Sequence, residues 1–251
     1  MIGAQLKSGH RDKVLGHLWS LLDPLLSLGV YYLVFGIGFR QAGDRPSEFV
    51  LYLFAGIVVW RFFGETVAQA SGALRSHRSL ILSADFPKAI IPIAICGARL
   101  YDLLWALFVV IGVVVLSGSS LTLALLWLPL IILVQVTLTL GLSFIVAYLG
   151  LFFADTANLV SAFLRLWVLA CPIFYFGRSE HGRIGIIPDE IIDYYMLNPL
   201  AGLLGAYRSV LVWGETPNMG ELLYVVIFAA ALLGAGFKLF NHGEGRFAKF
   251  V

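Results

Sequence analysis

Residues 103–154 read LLWALFVVIGVVVLSGSSLTLALLWLPLIILVQVTLTLGLSFIVAYLGLFFA, 52 residues without a charge or a histidine. As one helix at ~1.5 Å per residue they would reach roughly 78 Å, over twice a ~30 Å hydrocarbon core, so the segment must cross a bilayer twice. The turn-like cluster inside it is Ser117-Gly118-Ser119-Ser120. A short hairpin loop there joins two spans, expected at 90–116 and 122–153.

The rest of the composition agrees. Of 251 residues 60% are hydrophobic and 13% charged, too little polar surface to coat a soluble globule. Seventeen Lys and Arg against fifteen Asp and Glu leave no diffuse basic field for a nucleic acid. Cys96 and Cys171 both lie in apolar runs, where a thiol behaves as a small hydrophobe, and no disulfide framework follows.

Working outward, the reading is all-α and polytopic, one transmembrane domain over 1–251. Residues 1–23 form an interfacial segment with Lys7, Arg11 and Lys13. The Asp23-Pro24 step breaks the first apolar run, since proline lacks a donor and biases its predecessor away from helix, so a first span is expected at 24–39. That run is too long for a signal-peptide core, which predicts no processing and a cytosolic N-terminus. Further spans are expected at 49–71, 156–176 and 222–240, six in all, with both termini on one side. Residues 186–213 are too short to cross and read as re-entrant or interfacial helices, with Pro188 as a start and Asn198-Pro199 as a turn. Between spans two and three, residues 76–89 form an amphipathic helix suited to a protein partner. Lys7, Arg11, Lys13, Arg75, Arg78, Lys88, Lys238, Arg246 and Lys249 fall on one side, nine cations, against Arg40, Arg45, Arg178, Arg183 and Arg208, five, on the other. The positive-inside rule puts the first side in the cytosol.

Five charges fall inside expected spans: Arg61, Glu65, Arg99, Asp102 and Arg165. Each costs ~2.5–3.5 kcal/mol on insertion scales unless it finds a partner or water. Arg61 and Glu65 are four apart and Arg99 and Asp102 three apart, so each pair meets on one helix face. They are either structural ion pairs or the lining of a polar pathway. Aromatic residues concentrate on the first two spans, among them Trp19, Tyr31, Tyr32, Phe35, Trp60 and Phe63. Such rings serve lipid-facing packing and interfacial belts, or offer flat faces to sugar rings.

Histidines at 10, 17, 77, 181 and 242 show no metal-ligand spacing, so no metal site is expected. No G-x-x-x-x-G-K-[ST] loop occurs, so the chain does not bind ATP in the P-loop manner, and no G-x-S-x-G elbow or acid/base pair nominates a catalytic residue.

Four segments in order, LGHLWSLLDPLL (15–26), FAGIVVWRFF (54–63), LILSADFPKAIIPI (80–93) and MLNPLAGLLGAYRSVL (196–211), together with the EGRFAKFV stretch, resemble the membrane subunits of ABC exporters for polysaccharides, O-antigens and teichoic acids, the Wzm-type permeases. The resemblance implies a homodimer of six-span subunits in the bacterial cytoplasmic membrane, bound to two copies of a cytoplasmic ATPase that holds ATP and Mg, with no cofactor on this chain. It makes 76–89 the coupling helix, with Arg78, Asp85 and Lys88 touching the ATPase and Phe86-Pro87 setting the exit angle. It also places Trp19, Tyr31, Tyr32, Phe35, Trp60 and Phe63 along a glycan pathway, and 186–213 at the outer leaflet. Asp23, where an Asn is usual, and Arg61, where a neutral polar residue is commoner, depart from the family pattern. The expected function is export of a lipid-linked cell-envelope glycan. A drug or small-lipid exporter of the same fold would instead respond to small amphiphiles, and an integral-membrane enzyme would turn over without any ATPase.

Overall fold

A computed structural model describes residues 18–38, 40, 43, 45–83, 86–116, 122–178, 181, 185–188, 190–245 and 247. All regular structure among them is helical. Helix α1 (Leu18–Tyr31) continues into a wider turn, Tyr32–Gly38. Helix α2 (Pro46–Ser71) is followed by two short pieces, α3 (Ala73–Ser76) and α4 (Arg78–Ser83), and by α5 (Ile90–Leu116). A tight turn, Leu123–Trp127, leads into α6 (Leu128–Phe152), then α7 (Thr156–Ala170) and the four-residue α8 (Ile192–Tyr195). Helix α9 (Pro199–Arg208) runs into a wide turn, Ser209–Trp213, before α10 (Met219–Glu244).

Sequence chemistry accounts for the helix starts. Pro46 and Pro199 sit in the first helical turn, where the missing N–H has no intrahelical partner in any case and the fixed φ is already helical. Asn198 Oδ1 accepts from Leu200 N at 3.1 Å, and Asn218 Oδ1 from Gly220 N at 3.0 Å and Glu221 N at 3.3 Å, capping α9 and α10. At Gly214 the chain leaves the wide turn with φ 66°, a conformation open to glycine.

Four helical stretches are long and apolar enough to cross a membrane: α2, α5, Leu123–Phe152 and α10. At 26, 27, 30 and 26 residues each exceeds a ~30 Å core at ~1.5 Å per residue. Leu25–Gly38 and Thr156–Ala170 are shorter apolar helices. Helix α2 is the hub, touching α1, α5, α6, α7 and α9. It is the least hydropathic of the four and the most buried, and its buried polar groups are satisfied within the helix: Thr66 Oγ1 donates to Phe62 O and Ser71 Oγ to Ala68 O. Helices α5 and α10 turn Leu104, Phe108, Leu223 and Ile227 outward, as a bilayer solvent requires.

Helices α6 and α10 pack backbone to backbone. A Cβ on Gly141 would lie 2.7 Å from Leu233 N, and one on Gly236 would collide with the Gly141 carbonyl oxygen. Similarly, Gly150 leaves no room for a Cβ beside the Ser71 carbonyl, so the ends of α6 and α2 meet. Small residues give membrane helices this approach, where no hydrophobic effect drives association.

Several boundaries differ from the sequence expectation. Among the described residues helix α1 runs Leu18–Tyr31 and contains Asp23-Pro24 in its interior: proline removes one i→i−4 bond without ending the helix. Helix α7 stops at Ala170, not 176, two residues before Pro172. The single coupling helix expected at 76–89 is two short helices broken at His77, with Phe86–Ala89 outside any helix. Pro87 supplies no donor there, and the first turn of α5 instead takes Ile90 N to Pro87 O (3.1 Å) and Ile91 N to Lys88 O (3.0 Å). Within 186–213, helix begins at Ile192 and not at Pro188. The 117–120 turn, residues 1–17 of the interfacial segment, Asp85, Arg183, Arg246 and Lys249 lie outside the described residues, as does the side chain of Trp19.

Candidate functional site

Three clusters follow from this packing. The first is the α2–α5 turn. Ala73, Leu74, Ile81 and Ala89 are buried against Phe144, Leu151, Phe240 and Phe247, which pins the turn to the ends of α6 and α10. Arg75 Nη2 donates to Leu151 O at 3.0 Å, satisfying a carbonyl of the last turn of α6. The Lys88 amide donates to Glu244 Oε1 at 2.7 Å, a charge-assisted bond that ties the turn to α10. Arg78, Ser79 and Leu82 face outward, while Lys88 is half-buried with its Nζ 5.8 Å from the Phe86 ring. The turn thus has one face anchored in the bundle and an opposite face on which Arg78, Ser79 and Leu82 are exposed.

The second cluster is a groove of about 390 Å³ bounded by α1, α2, α7 and the stretch after α7. Tyr31, Trp60, Arg61, Glu65, Arg165 and Phe174 line it. Of the aromatics singled out in the sequence whose side chains are described, Tyr31 and Trp60 line the groove, and Tyr32, Phe35 and Phe63 do not. Phe35 stacks on Phe174 (4.9 Å, 10°) and Tyr32 faces Phe49 at 6.5 Å. Phe63 is 1% exposed and meets the Trp167 ring edge-on at 5.3 Å, so it is core. Phe174, unnoticed in the sequence because it sat inside an expected span, is the ring against which Tyr31 packs at 4.4 Å.

Beside the groove lies a charge network. Arg61 Nη2 is 2.9 Å from Glu65 Oε1, and Arg99 Nη1 is 2.8 Å from Glu65 Oε2 and 3.6 Å from Asp102 Oδ2. Arg99 Nε also donates to Gln69 Oε1 at 3.3 Å. The two intrahelical pairs meet, but Glu65 also joins α2 to α5, a contact no spacing rule reveals.

The third cluster centres on Arg208, counted in the sequence among loop cations but only 2% exposed. Its guanidinium lies 3.3 Å from the centroid of the Tyr52 ring, Nε donates to Tyr52 O at 3.4 Å, and Nη2 donates to Ile173 O at 3.1 Å. A Cβ on Gly56 would be 2.8 Å from Nη2, so glycine makes the space. Next to it, Tyr207 Oη donates to Gln135 Oε1 at 2.5 Å, and Gln135 Nε2 donates to Val59 O at 2.9 Å. The Tyr207-Arg208 step thereby fastens α9 to α2 and α6. Among the described residues no group of three His, Cys, Asp or Glu side chains could hold a metal.

The sequence profile described as ABC-2 type transporter matches residues 1–212. The O-antigen export system permease protein RfbA of Myxococcus xanthus is 27% identical over 253 residues, covering 100% of this chain and 94% of that protein. A protein of the same name from Klebsiella pneumoniae is 27% identical over 248 residues, 98% of this chain and 91% of its own. The polysialic acid transport protein KpsM of Escherichia coli is 24% identical over 239 residues, 92% and 86% of the two chains. The profile takes in every helix from α1 to α9, and with four helices built to cross a bilayer this chain belongs to the ABC-2 type transporter family of integral membrane proteins.

Proposed function

We propose that the chain is the permease subunit of an ATP-driven exporter that carries a lipid-linked cell-envelope polysaccharide across the bacterial cytoplasmic membrane. The observation that carries this reading is similarity over the whole chain to proteins named for two polysaccharides, O-antigen and polysialic acid. What is shared is fold-wide, not a local motif. The groove supports it: flat aromatic faces beside guanidinium and hydroxyl groups suit a hydroxylated polymer.

In this reading α1 and α7 complete six crossings, two copies of the chain form the path, and both termini are cytosolic. A separate ATPase supplies the phosphate loop that the sequence lacks, binds ATP and Mg, and presses on the outward face of the α2–α5 turn around Arg78 and Lys88. Because that turn is bonded to Leu151 and Glu244, its displacement moves the ends of α6 and α10 together. The test is Arg78→Glu with Lys88→Glu in a cell whose own copy has been removed. Loss of ATPase co-purification and of surface polysaccharide is expected, with the permease still inserted. Retention of both refutes the assignment of the turn.

A further inference from the structure

A second cavity, of about 90 Å³, lies between α9, the first turn of α10 and the stretch after α7, at the opposite end of α10 from Glu244. Among the described residues it shares none with the groove. Glycines of α9 leave the space. Gly202 and Gly205 line the cavity, and a Cβ on Gly205 would stand 3.8 Å from Glu221 Oε2. Arg178 and Glu221 pair across the wall, Nη1 to Oε1 at 3.0 Å, with side chains 39% and 23% exposed, which gives the cavity a polar mouth.

Two polar atoms of the lining residues are unanswered. Trp213 Nε1 is buried and has no hydrogen-bond partner among the described residues, although its ring is held by stacking on His181 at 4.1 Å. Glu221 Oε1 accepts from Arg178 Nη1 and, at 3.4 Å, from Asn218 Nδ2, while among the described residues no bond reaches Oε2. Buried N–H groups are nearly always paired, so one without a protein acceptor marks a place for a ligand or water. An occupant meeting both atoms has to accept from an indole N–H and donate to a carboxylate. Carboxylate and phosphate ions have no proton for Glu221, and an ammonium has no lone pair for Trp213; a hydroxyl has both. Size narrows the choice further. At ~30 Å³ per water the cavity matches about three waters, roughly the volume of a two-carbon diol and well below that of a sugar ring.

We infer that this cavity is a binding site for a small neutral polyol of about the size of ethylene glycol, whose hydroxyls accept from Trp213 Nε1 and donate to Glu221 Oε2. Water competes for the site, having the same two capacities. The site stands apart from the groove and holds whether or not the chain exports polysaccharide.

The test uses the full chain, labelled with ¹⁵N-tryptophan and held in lipid nanodiscs in whatever assembly leaves the membrane. Its 6 tryptophans give one indole N–H signal each, and Trp213→Phe identifies that of Trp213 by removing it. Ethylene glycol should shift the Trp213 signal saturably, while acetate, methylammonium and mannitol at equal concentration leave it in place. Gly205→Ser sets a hydroxyl beside Glu221 Oε2 without a clash, since its Cβ would be in ordinary contact at 3.8 Å, and should weaken ethylene glycol roughly two- to tenfold, the worth of one hydrogen bond. Gly234→Ser, on an open face of α10, should bind like the parent. Failure of ethylene glycol to shift the signal saturably overturns the inference, as does an equal response to acetate or methylammonium, which would make the cavity an ion site. A like response to mannitol, or equal movement of all the indole signals, reports a bulk solvent effect and overturns it too. Unchanged affinity in Gly205→Ser places the diol elsewhere and refutes the assignment to this cavity.

Discussion

Glu65→Gln removes the carboxylate on which two guanidiniums converge, at 2.9 Å from Arg61 and 2.8 Å from Arg99. The side chains are roughly one-third exposed, which places the energy between two limits. An exposed ion pair is worth ~0–1 kcal/mol, whereas taking one partner from a buried pair costs ~3–5 kcal/mol. Two such pairs at membrane depth give a loss of about 2–4 kcal/mol for Glu65→Gln. Asp102 meets Arg99 at 3.6 Å and shares it with Glu65, so Asp102→Asn should cost under ~1 kcal/mol. For a domain of this size ~1 kcal/mol corresponds to ~2–4 °C, so Glu65→Gln should melt about 4–16 °C lower and Asp102→Asn within ~4 °C of the parent. Size-exclusion of heated, detergent-solubilised protein reads the difference. The double variant Glu65→Gln/Arg99→Gln should be milder than the sum of its singles by ~1 kcal/mol or more, because each single leaves an uncompensated charge. Equal shifts for Glu65→Gln and Asp102→Asn, or strict additivity, would refute the view that Glu65 is the anion joining α2 to α5.

Gly236→Val should separate α6 from α10 and lower folded yield, an overpacking cost of ~1–3 kcal/mol, while Gly234→Val, with nothing within 4 Å of its Cβ, should be near neutral. Arg208→Lys keeps the charge but loses the fork that reaches both Tyr52 O and Ile173 O, so it should melt measurably lower, and Gly56→Ala should do the same by crowding Nη2. Glu244→Ala strips the Lys88 amide of its acceptor; hydrogen exchange at residues 86–89 should accelerate about tenfold, with α2 unaffected.

Much of the architecture can be read from hydropathy alone because a bilayer makes one demand, uninterrupted apolar length, and α5, α6 and α10 meet it plainly. Helix α2 is legible despite Arg61 and Glu65, since four-residue spacing lets the pair lie on one face. The sequence overstates regularity where proline acts at helix edges: Pro24 is absorbed inside α1, whereas Pro87 and Pro172 lie just beyond helices that were expected to continue. The Glu65–Arg99 bridge and the burial of Arg208 were invisible for a different reason. Both depend on which helices become neighbours, and a cation over a tyrosine ring in a pocket opened by Gly56 looks, in sequence, like any loop arginine. Of the five chosen aromatics with described side chains, two reach the groove, because ring count on a helix does not say which rings the bundle consumes as core.

The bond from the Lys88 amide to Glu244 spans 156 residues of chain. During synthesis, therefore, the α2–α5 turn is made long before the side chain that fixes it. Until α10 has inserted, residues 86–89 lack that acceptor and Leu74 and Ile81 lack Phe240 and Phe247. The turn is therefore backed by its full set of bundle contacts only once α10 has arrived. The fold thereby delays completion of this turn until α10 is in place.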